Sequence, residues 1–378
     1  MRTHQDFRLR RLQMQTMTTP KRDNFYMPAE YAPHAATIMI WCERGGSWIY
    51  GAKYACPVFA EMIKAISRRE KVYLAVSERG KISALGYLQT EVNEGRVELV
   101  GIPTDDSWAR DMAPTFVTDG REVRAVDWAF NAWGGDYNGL YKDYQSDDAF
   151  AAQFAKRYGC KCYPARPFVL EGGSVHTNGK GTILTTEECL LSPGRNPQLT
   201  KEEIGEKLKE YLGAERVVWL PYGVEGDETD GHVDNICAFV SENEVVLGWA
   251  EEGEQGRRCR ADLEALKAAG LTVHKLPFPK TPVCFTQFEV DGFSPEEGED
   301  MREVGEKLAA SYVNFYVCNG AVLVPQFGDE NDGVAVRILS GLFPGREVVP
   351  VYARQLIIGG GNIHCLTQQI PAPSQKEK

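Results

Sequence analysis

One arrangement of predicted elements repeats along this chain of 378 residues. Two β-rich runs are joined by a turn, an amphipathic helix follows, and a short apolar strand ends the unit. Three of the turns contain pairs that favour β-hairpins, at Asp119-Gly120, Asn178-Gly179 and Asn319-Gly320. The alternative is an ordinary α/β protein with coincidental hairpins. The repeat favours an α/β fold built from ββαβ units.

Five copies of the unit can be placed on the sequence. The first four begin near residues 113, 169, 231 and 312, and the second and third open with strands over residues 169–177 and 231–240. Their helices are predicted over residues 147–158, 200–212, 260–269 and 332–342, the first ending at Gly159 and the second beginning with a capping box of Thr200 and Glu203. The fifth combines a strand over residues 356–365 with a strand over residues 36–41, a helix over 58–69 and a strand over 72–76. Because this copy requires the two chain ends to meet, we predict a five-bladed α/β propeller with pseudo-fivefold symmetry. The loops of every unit would converge on its axis.

The sequence predicts one folded domain. No Pro-, Gly- or Ser-rich linker divides the chain. We predict a disordered N-terminal extension over residues 1–24, a single domain over residues 25–370 and a C-terminal tail over residues 371–378. Residues 1–16 contain four arginines but no apolar run typical of a secretion signal, and Met17 offers an alternative start.

Composition excludes several classes of function. The net charge of −11 argues against a nucleic-acid partner, because phosphate binding requires a cationic surface, and it suits a small cationic substrate. No run approaches the roughly 18 apolar residues that span a bilayer, so the sequence argues against a membrane protein. Ten cysteines without a secretion signal or a CxxC pair are typical of a reduced, cytoplasmic protein.

Polar residues of unusual type fall at the predicted mouths of these units. Five of them are candidates for catalysis: Asp111, Glu171, His232, Asp234 and Cys365. Two have glycines beside them, which let a substrate approach the backbone closely, since Gly172-Gly173 follow Glu171 and Gly359-Gly360-Gly361 come shortly before Cys365. In a ring all five would lie near one axis, where His232 could act as a base for a thiol or a water.

Each candidate also has a purely structural interpretation. Asp111 could pair with its neighbour Arg110, Glu171 could be a turn residue, and Cys365 could be a buried, inert thiol. The acidic cluster over residues 227–234 could bind the metal of a metal-dependent hydrolase, but no HxH or HxxxH pair supplies the usual ligands. A thiol-based site accounts for more of these features. A propeller that only binds a ligand would not need five reactive residues.

Four ordered motifs resemble the agmatine deiminases, a family of the guanidine-modifying, or pentein, superfamily. They are Asp106-Ser-Trp-Ala-Arg-Asp111, Glu171-Gly-Gly-Ser174, Gly231-His-Val-Asp234 and Gly359-Gly-Gly-Asn-Ile-His-Cys365. Residues 130–135, 190–199 and 325–332 also match, so the resemblance runs from about residue 25 to about residue 369. It implies the pentein fold, a five-bladed propeller, which the repeats predict independently.

The resemblance implies a hydrolase that converts agmatine to N-carbamoylputrescine and ammonia in putrescine and polyamine metabolism. Cys365 would be the nucleophile, forming a covalent amidino intermediate. Asp111 and Asp234 would hold the guanidinium, and His232 and Glu171 would be the acid–base residues. It implies no metal or organic cofactor, and assembly as a dimer or tetramer. An arginine or peptidyl-arginine deiminase of the same superfamily is the alternative.

The pocket must also bind the other end of the substrate, because agmatine ends in an ammonium and lacks the α-carboxylate of arginine. Trp108 and Trp133 are candidates for lining the methylene chain, with core aromatic residues as the alternative interpretation. Asp329 and Glu330 are candidates for binding the ammonium, with an acidic helix start as the alternative interpretation. His364 is predicted to point to the side of its strand opposite Cys365.

Overall fold

The computed structural model describes residues 18–297, 299 and 301–373. Within these residues sixteen strands form five separate sheets. The strands, β1 to β16 in chain order, are His34–Ile40, Lys71–Ala75, Val97–Val100, Thr115–Thr118, Val123–Ala129, Cys162–Val169, His176–Thr177, Thr182–Thr186, Arg216–Leu220, Cys237–Phe239, Glu244–Trp249, Thr272–Pro277, Tyr316–Cys318, Ala321–Gln326, Glu347–Tyr352 and Gln368–Pro371.

Four of the sheets repeat one pattern of three strands. Their orders are β4-β5-β6, β7-β8-β9, β10-β11-β12 and β13-β14-β15. In each, the first two strands are antiparallel and the last two are parallel. The fifth sheet, β16-β1-β2-β3, pairs β16 with β1 antiparallel and adds two parallel strands. The prediction that the two ends of the chain share one sheet is confirmed.

Each parallel pair of strands is connected by a helix, since parallel strands need a long crossover. The six longer helices of the described residues, α1 to α6, are Ala55–Ser67, Glu78–Asn93, Gln145–Tyr158, Lys201–Leu212, Gly253–Ala268 and Asp332–Leu342. The predicted capping box is present at the start of α4, where Thr200 and Glu203 bond reciprocally. The predicted stop at Gly159 ends α3 in the left-handed conformation.

In three sheets the predicted first strand is too long or misplaced. The prediction extends strands over residues 169–177, 231–240 and 356–365, whereas the observed strands are only β7, β10 and β16. Before these strands the chain forms short helices, Gly172–Ser174, Val233–Asn235 and Arg354–Ile357. Their backbone groups bond locally, as in the 3.1 Å bond from the Ser174 N–H to the Glu171 carbonyl. The polar and glycine residues of the site therefore lie in turns.

The ends of the domain differ from the predicted boundaries. Residues 1–17 and 374–378 lie outside the described residues. Within the predicted extension Lys21–Asp23 form a 3₁₀ helix, and Lys21 Nζ donates to the carbonyl of Ala214 at 2.7 Å. Strand β16 continues to Pro371. Residues 18–24 and 371 therefore belong to the folded domain. In the described part of the chain, no helix is both long and apolar enough to cross a membrane.

Candidate active site

The segment that precedes the first strand of each sheet contributes to one buried cluster of side chains. In chain order these are Asp111 before β4, Glu171 before β7, His232 and Asp234 before β10, Asn314 before β13 and Cys365 before β16. All six side chains are buried. The structure thus brings together the five candidates from the sequence and adds Asn314 to them.

Gly173 lies at the centre of this cluster. Its backbone N–H donates to Asp111 Oδ1 at 2.8 Å. A Cβ atom on Gly173 would lie 2.6 Å from His232 Nδ1 and 2.9 Å from both Asp111 Oδ1 and Asp234 Oδ2, which is closer than real Cβ atoms approach. A Cβ on Gly172 would lie only 2.1 Å from a backbone carbonyl oxygen. Close packing therefore requires glycine at both glycine positions of the Glu-Gly-Gly-Ser motif.

His232 lies between two carboxylates. Its Nδ1 is 3.9 Å from Asp111 Oδ2, and its Nε2 is 3.9 Å from Glu171 Oε2. These distances are too long for hydrogen bonds but short enough for strong charge interactions in a buried site. Although burial opposes the charged ring, Asp111, Cys189 and Glu171 raise the pKa of His232 well above its ordinary value. The ring is therefore an imidazolium at neutral pH, ready to donate a proton.

Glu171 is fixed by Arg195, a residue to which the sequence assigned no role. Both side chains are fully buried, and Arg195 Nε lies 2.7 Å from Glu171 Oε1. Burial acts against ionisation, but Arg195 and His232 together lower the pKa of Glu171 to about 2. Arg195 also donates to the Thr229 carbonyl at 2.9 Å. Glu171 is thus a permanently charged partner for His232.

Asp111 and Asp234 occupy different electrostatic environments. Asp111 Oδ2 accepts a hydrogen bond from Trp133 Nε1 at 2.9 Å. Burial, opposed by His232 and reinforced by Asp234, raises the pKa of Asp111 to about 6. Asp234 Oδ2 accepts from His364 Nδ1 at 2.7 Å, and this partner lowers the pKa of Asp234 despite its burial.

One oxygen of Asp234 is left over. Asp234 Oδ1 is buried and has no hydrogen-bond partner among the described residues. Burying an unpaired carboxylate oxygen costs free energy, so native structures seldom keep one without a purpose. This oxygen is therefore able to accept N–H groups from a ligand.

The Cys365 thiol lies beside Asp234 and Asn314. Its Sγ is 3.8 Å from Asp234 Oδ2 and accepts a hydrogen bond from Asn314 Nδ2 at 3.2 Å. Burial, together with the charges of Asp234 and Asp111, raises the pKa of the thiol well above its ordinary value. With these neighbours alone the sulfur stays protonated at neutral pH. A cation bound by the carboxylates would favour the thiolate.

The glycine run before the thiol lies in a turn and packs closely against aromatic side chains. A Cβ on Gly361 would lie 2.6 Å from Trp108 Cζ3 and 3.1 Å from Cys365 Sγ. Gly360 has a φ of 108°, a conformation that residues with side chains rarely adopt. The glycines therefore allow both the turn of the chain and the close contact of the Trp108 indole with the segment that carries Cys365.

A pocket leads to Cys365. Trp108 and Trp133 line it, as predicted from the sequence. Its charged lining residues comprise four acids and two bases: Asp106, Asp111, Glu228, Glu299, Arg44 and Arg302. Both bases are in ion pairs, because Arg44 contacts Glu299 and Arg302 Nη2 lies 2.9 Å from Glu228 Oε2. The pocket is therefore suited to a cation.

Two predicted ammonium-binding residues lie elsewhere. Asp329 accepts hydrogen bonds from the backbone N–H groups of Lys280 at 2.8 Å and Thr281 at 3.0 Å. Glu330 is exposed and pairs with Lys280 Nζ at 2.6 Å. Neither of these described residues lines the pocket, because their acidic run caps a surface turn before α6. The alternative interpretation of an exposed acidic helix start fits this segment.

Three further expectations can be compared with the structure. His364 contacts Asp234, so the prediction that it points away from the site is wrong, and the reason is that its segment is a turn. Arg110 contacts Glu30, not its neighbour Asp111. In the acidic cluster over residues 227–234, Asp227 accepts hydrogen bonds from Thr229 and Asn235, which involve both of its oxygens.

Comparison with known proteins identifies the family. Residues 26–371 match the family model described as Porphyromonas-type peptidyl-arginine deiminase. The chain belongs to this family. It is 46% identical over 365 residues to the agmatine deiminase of Ectopseudomonas mendocina (strain ymp), covering 94% of this chain and 98% of that protein. It is 45% identical over 365 residues to the agmatine deiminase of Pseudomonas aeruginosa (strain LESB58), with the same coverage of 94% and 98%.

A solved structure extends the family comparison to the fold. The agmatine deiminase of Enterococcus faecalis superposes with a TM-score of 0.89 at 38% sequence identity, covering 95% of this chain and 99% of that chain. At this similarity the relative and this chain share the same α/β fold over nearly their whole lengths. The family is therefore one of enzymes of the deiminase type.

The raised pKa of the Cys365 thiol predicts slow alkylation. Because the thiolate is the reactive form, iodoacetamide should modify Cys365 at pH 7 at least about tenfold more slowly than free cysteine, whose pKa is about 8.5. The rate should rise with pH up to pH 9, since the raised pKa lies above this range. Mass spectrometry of the peptide that contains Cys365 measures the rate. Alkylation at pH 7 as fast as that of free cysteine would contradict this electrostatic picture.

Proposed function

We propose that this chain is an agmatine deiminase that hydrolyses agmatine to N-carbamoylputrescine and ammonia. Relatives at 45–46% identity and a solved structure at 38% identity bear that name. The observation that carries the proposal is the unpaired, buried Asp234 Oδ1 in a cluster that also holds the Asp111 carboxylate and the Cys365 thiol. The arrangement fits a cation with several N–H groups next to a nucleophile.

A guanidinium has the complementary chemistry. It is planar, always charged, and presents its N–H donors in a fixed fork. Two carboxylates, Asp111 and Asp234, can accept these donors and orient the plane. Because the site is buried, the charge interactions are stronger than in water. Binding of the cation also offsets the charges that keep the Cys365 thiol protonated.

In the first step the Cys365 thiol loses its proton to solvent as the substrate binds, and the sulfur adds to the guanidinium carbon. The adduct is a neutral tetrahedral species. The imidazolium of His232 then gives a proton to one nitrogen, the C–N bond breaks, and ammonia leaves. A cationic S-alkylthiouronium remains on Cys365, and His232 is neutral.

In the second step neutral His232 takes a proton from water as the water oxygen adds to the same carbon. The C–S bond then breaks, N-carbamoylputrescine forms, and the proton of the added hydroxyl returns to the sulfur. His232 is again an imidazolium, stabilised by Glu171 and Asp111. The cycle needs no other co-reactant than water.

The other end of agmatine is an ammonium, and Glu228 is suited to bind it. Glu228 lines the pocket and lies near Gly360, where an added Cβ would be 3.1 Å from its Oε2. Arg302 neutralises part of its charge, so the ammonium would share the carboxylate with the guanidinium of Arg302. Arginine would instead place its α-carboxylate near Glu228 and Glu299, where like charges repel.

These charges predict the substrate preference. The ratio of kcat/KM for agmatine to that for arginine should exceed about 100-fold, since juxtaposed like charges cost several kcal/mol. Glu228→Gln should raise KM for agmatine and narrow this ratio. Ammonia release from each substrate, measured under the same conditions, provides both numbers.

Two outcomes would favour other functions. Arg44 and Arg302 line the pocket, so faster turnover of arginine would indicate that one of them binds the α-carboxylate, and the chain would be an arginine deiminase. Loss of activity with EDTA, with Cys365→Ser still active, would indicate a metal-dependent hydrolase instead.

We further infer that the five sheets are the blades of an α/β propeller. The equivalent position of the site residues, each before the first strand of its sheet, supports this arrangement. A dimeric or tetrameric assembly and a cytoplasmic location, both expected from the sequence, stay predictions. Light scattering on the purified chain would determine the assembly.

A further inference from the structure

A buried series of hydrogen bonds connects the N-terminal segment to Asp234. Glu30 Oε2 lies 2.7 Å from His364 Nε2, and His364 Nδ1 lies 2.7 Å from Asp234 Oδ2. The three residues are 4%, 3% and 1% exposed, respectively. Because carboxylate oxygens face both ring nitrogens, both nitrogens must donate, and the ring of His364 is an imidazolium.

The charges around His364 balance within the buried group. Arg110 Nη2 lies 3.3 Å from Glu30 Oε2, so two carboxylates and two cations lie together. Burial and Arg110 oppose the charge on His364, but Glu30 and Asp234 prevail and raise its pKa. His176 is a further titratable neighbour, and its ring centroid lies 6.1 Å from that of His364. Burial lowers the pKa of His176 to about 4, so that ring is neutral at pH 7.

Glu30 is itself held in place from another sheet. Its Oε1 accepts a hydrogen bond from the backbone N–H of Val317, in β13, at 2.8 Å. The main chain of His364 is also anchored, because its N–H donates to Asn314 Oδ1 at 2.9 Å. The imidazolium therefore has a fixed position, and its bond sets the orientation of the Asp234 carboxylate.

We propose that Glu30 and His364 are positioning residues that fix Asp234, with Oδ2 held by the imidazolium and Oδ1 left for the guanidinium. This inference rests on the proposed function and deepens it. Without the charged donor, the carboxylate of Asp234 could rotate, and its pKa would rise because the largest interaction that opposes burial would be lost. Protonated Asp234 would lack the negative charge that balances the guanidinium, and one of its oxygens would become a donor.

The test uses His364→Gln and Glu30→Gln, with His176→Gln as the matched control. His176 is a buried histidine beside His364, and its Nδ1 accepts a hydrogen bond from the backbone N–H of Phe239. His364→Gln should lower kcat/KM for agmatine about 10- to 100-fold, the usual effect of losing a charge-assisted hydrogen bond. The acid limb of its pH–activity profile should move to higher pH than in the wild type. Glu30→Gln should change both kcat/KM and the acid limb in the same direction. The kcat/KM of His176→Gln should stay within about threefold of the wild-type value.

A structural role alone would lower the amount of active enzyme without moving the pH profile. Activity is therefore expressed per correctly folded molecule, from circular dichroism and the fraction that binds agmatine. An unchanged acid limb in both His364→Gln and Glu30→Gln would overturn the proposal. An equal loss in His176→Gln would do the same, because that variant leaves both bonds to His364 intact.

A second measurement does not depend on turnover. In protein labelled with ¹⁵N-histidine, the signal lost in His364→Gln identifies this ring among the six histidines of the chain. We expect a doubly protonated ring at pH 7 in the wild type and a lower pKa of this ring in Glu30→Gln. A neutral ring at pH 7 would refute the proposal. If the wild type does not turn over agmatine, the proposed function fails, and the ring signal alone decides whether the imidazolium exists.

Discussion

Replacing Cys365 by serine should lower kcat for agmatine by at least about 10⁴-fold, because a hydroxyl is a far weaker nucleophile than a thiolate. The variant should keep its fold, since serine fits the volume of cysteine. It should also keep its affinity for agmatine, because Asp111 and Asp234 supply the charge interactions. Steady-state ammonia release and a thermal-shift titration with agmatine measure the two effects separately.

The matched control is Cys162→Ser, which changes an exposed cysteine in β6. It should stay within about twofold of the wild type. Retention of more than a hundredth of the wild-type kcat in Cys365→Ser would mean that the sulfur is not the nucleophile. Loss of agmatine affinity in this variant would instead place the thiol among the groups that bind the ground state.

Adding one methyl group at Gly173 should also lower activity strongly. The Cβ of Gly173→Ala would lie 2.6 Å from His232 Nδ1 and 2.9 Å from oxygens of Asp111 and Asp234, so at least one of these groups must move. A displacement of about 1 Å in a catalytic group can cost about 100-fold in rate. We expect kcat/KM for agmatine to fall at least that far. Overpacking of this kind costs only about 1–3 kcal/mol of stability, so the protein should fold.

Gly86→Ala provides the comparison. Gly86 lies in α2, and a Cβ there would meet no atom within 4 Å. Alanine is favoured over glycine in a helix by up to about 1 kcal/mol, so this variant should be at least as stable as the wild type and equally active. Wild-type activity in Gly173→Ala would show that the cluster accommodates a Cβ atom at this position, which would contradict the close packing around Gly173.

The sequence predicted the elements whose signals are local. The hairpin turns at Asn178-Gly179 and Asn319-Gly320, the capping box of α4 and the crossover helices depend on residues within a few positions of one another. The segments before the first strands could not be predicted in this way. Gly172 packs against a backbone carbonyl from a distant part of the chain, and that contact decides its conformation.

The sequence predicted the site residues that lie in motifs and missed the residues that hold them in place from distant parts of the chain. Asn314 has no motif of its own, although its position before β13 matches that of the other site residues and could have found it. Glu30 and Arg195 hold His364 and Glu171 through contacts between remote segments, which no periodicity reports. An acidic run alone does not distinguish a pocket from a surface cap, so the sequence indicates Asp329 and Glu330, whereas Glu228 is an acidic residue that lines the pocket.

The covalent intermediate on Cys365 is the central claim, and rapid-quench mass spectrometry tests it most directly. The enzyme is mixed with excess agmatine, quenched in acid at times within the first turnover, and digested. The peptide that contains Cys365 should carry the mass of agmatine less one ammonia, and this species should form and decay at rates that account for turnover. Release of ammonia in the first turnover without any such adduct on Cys365 would contradict the account.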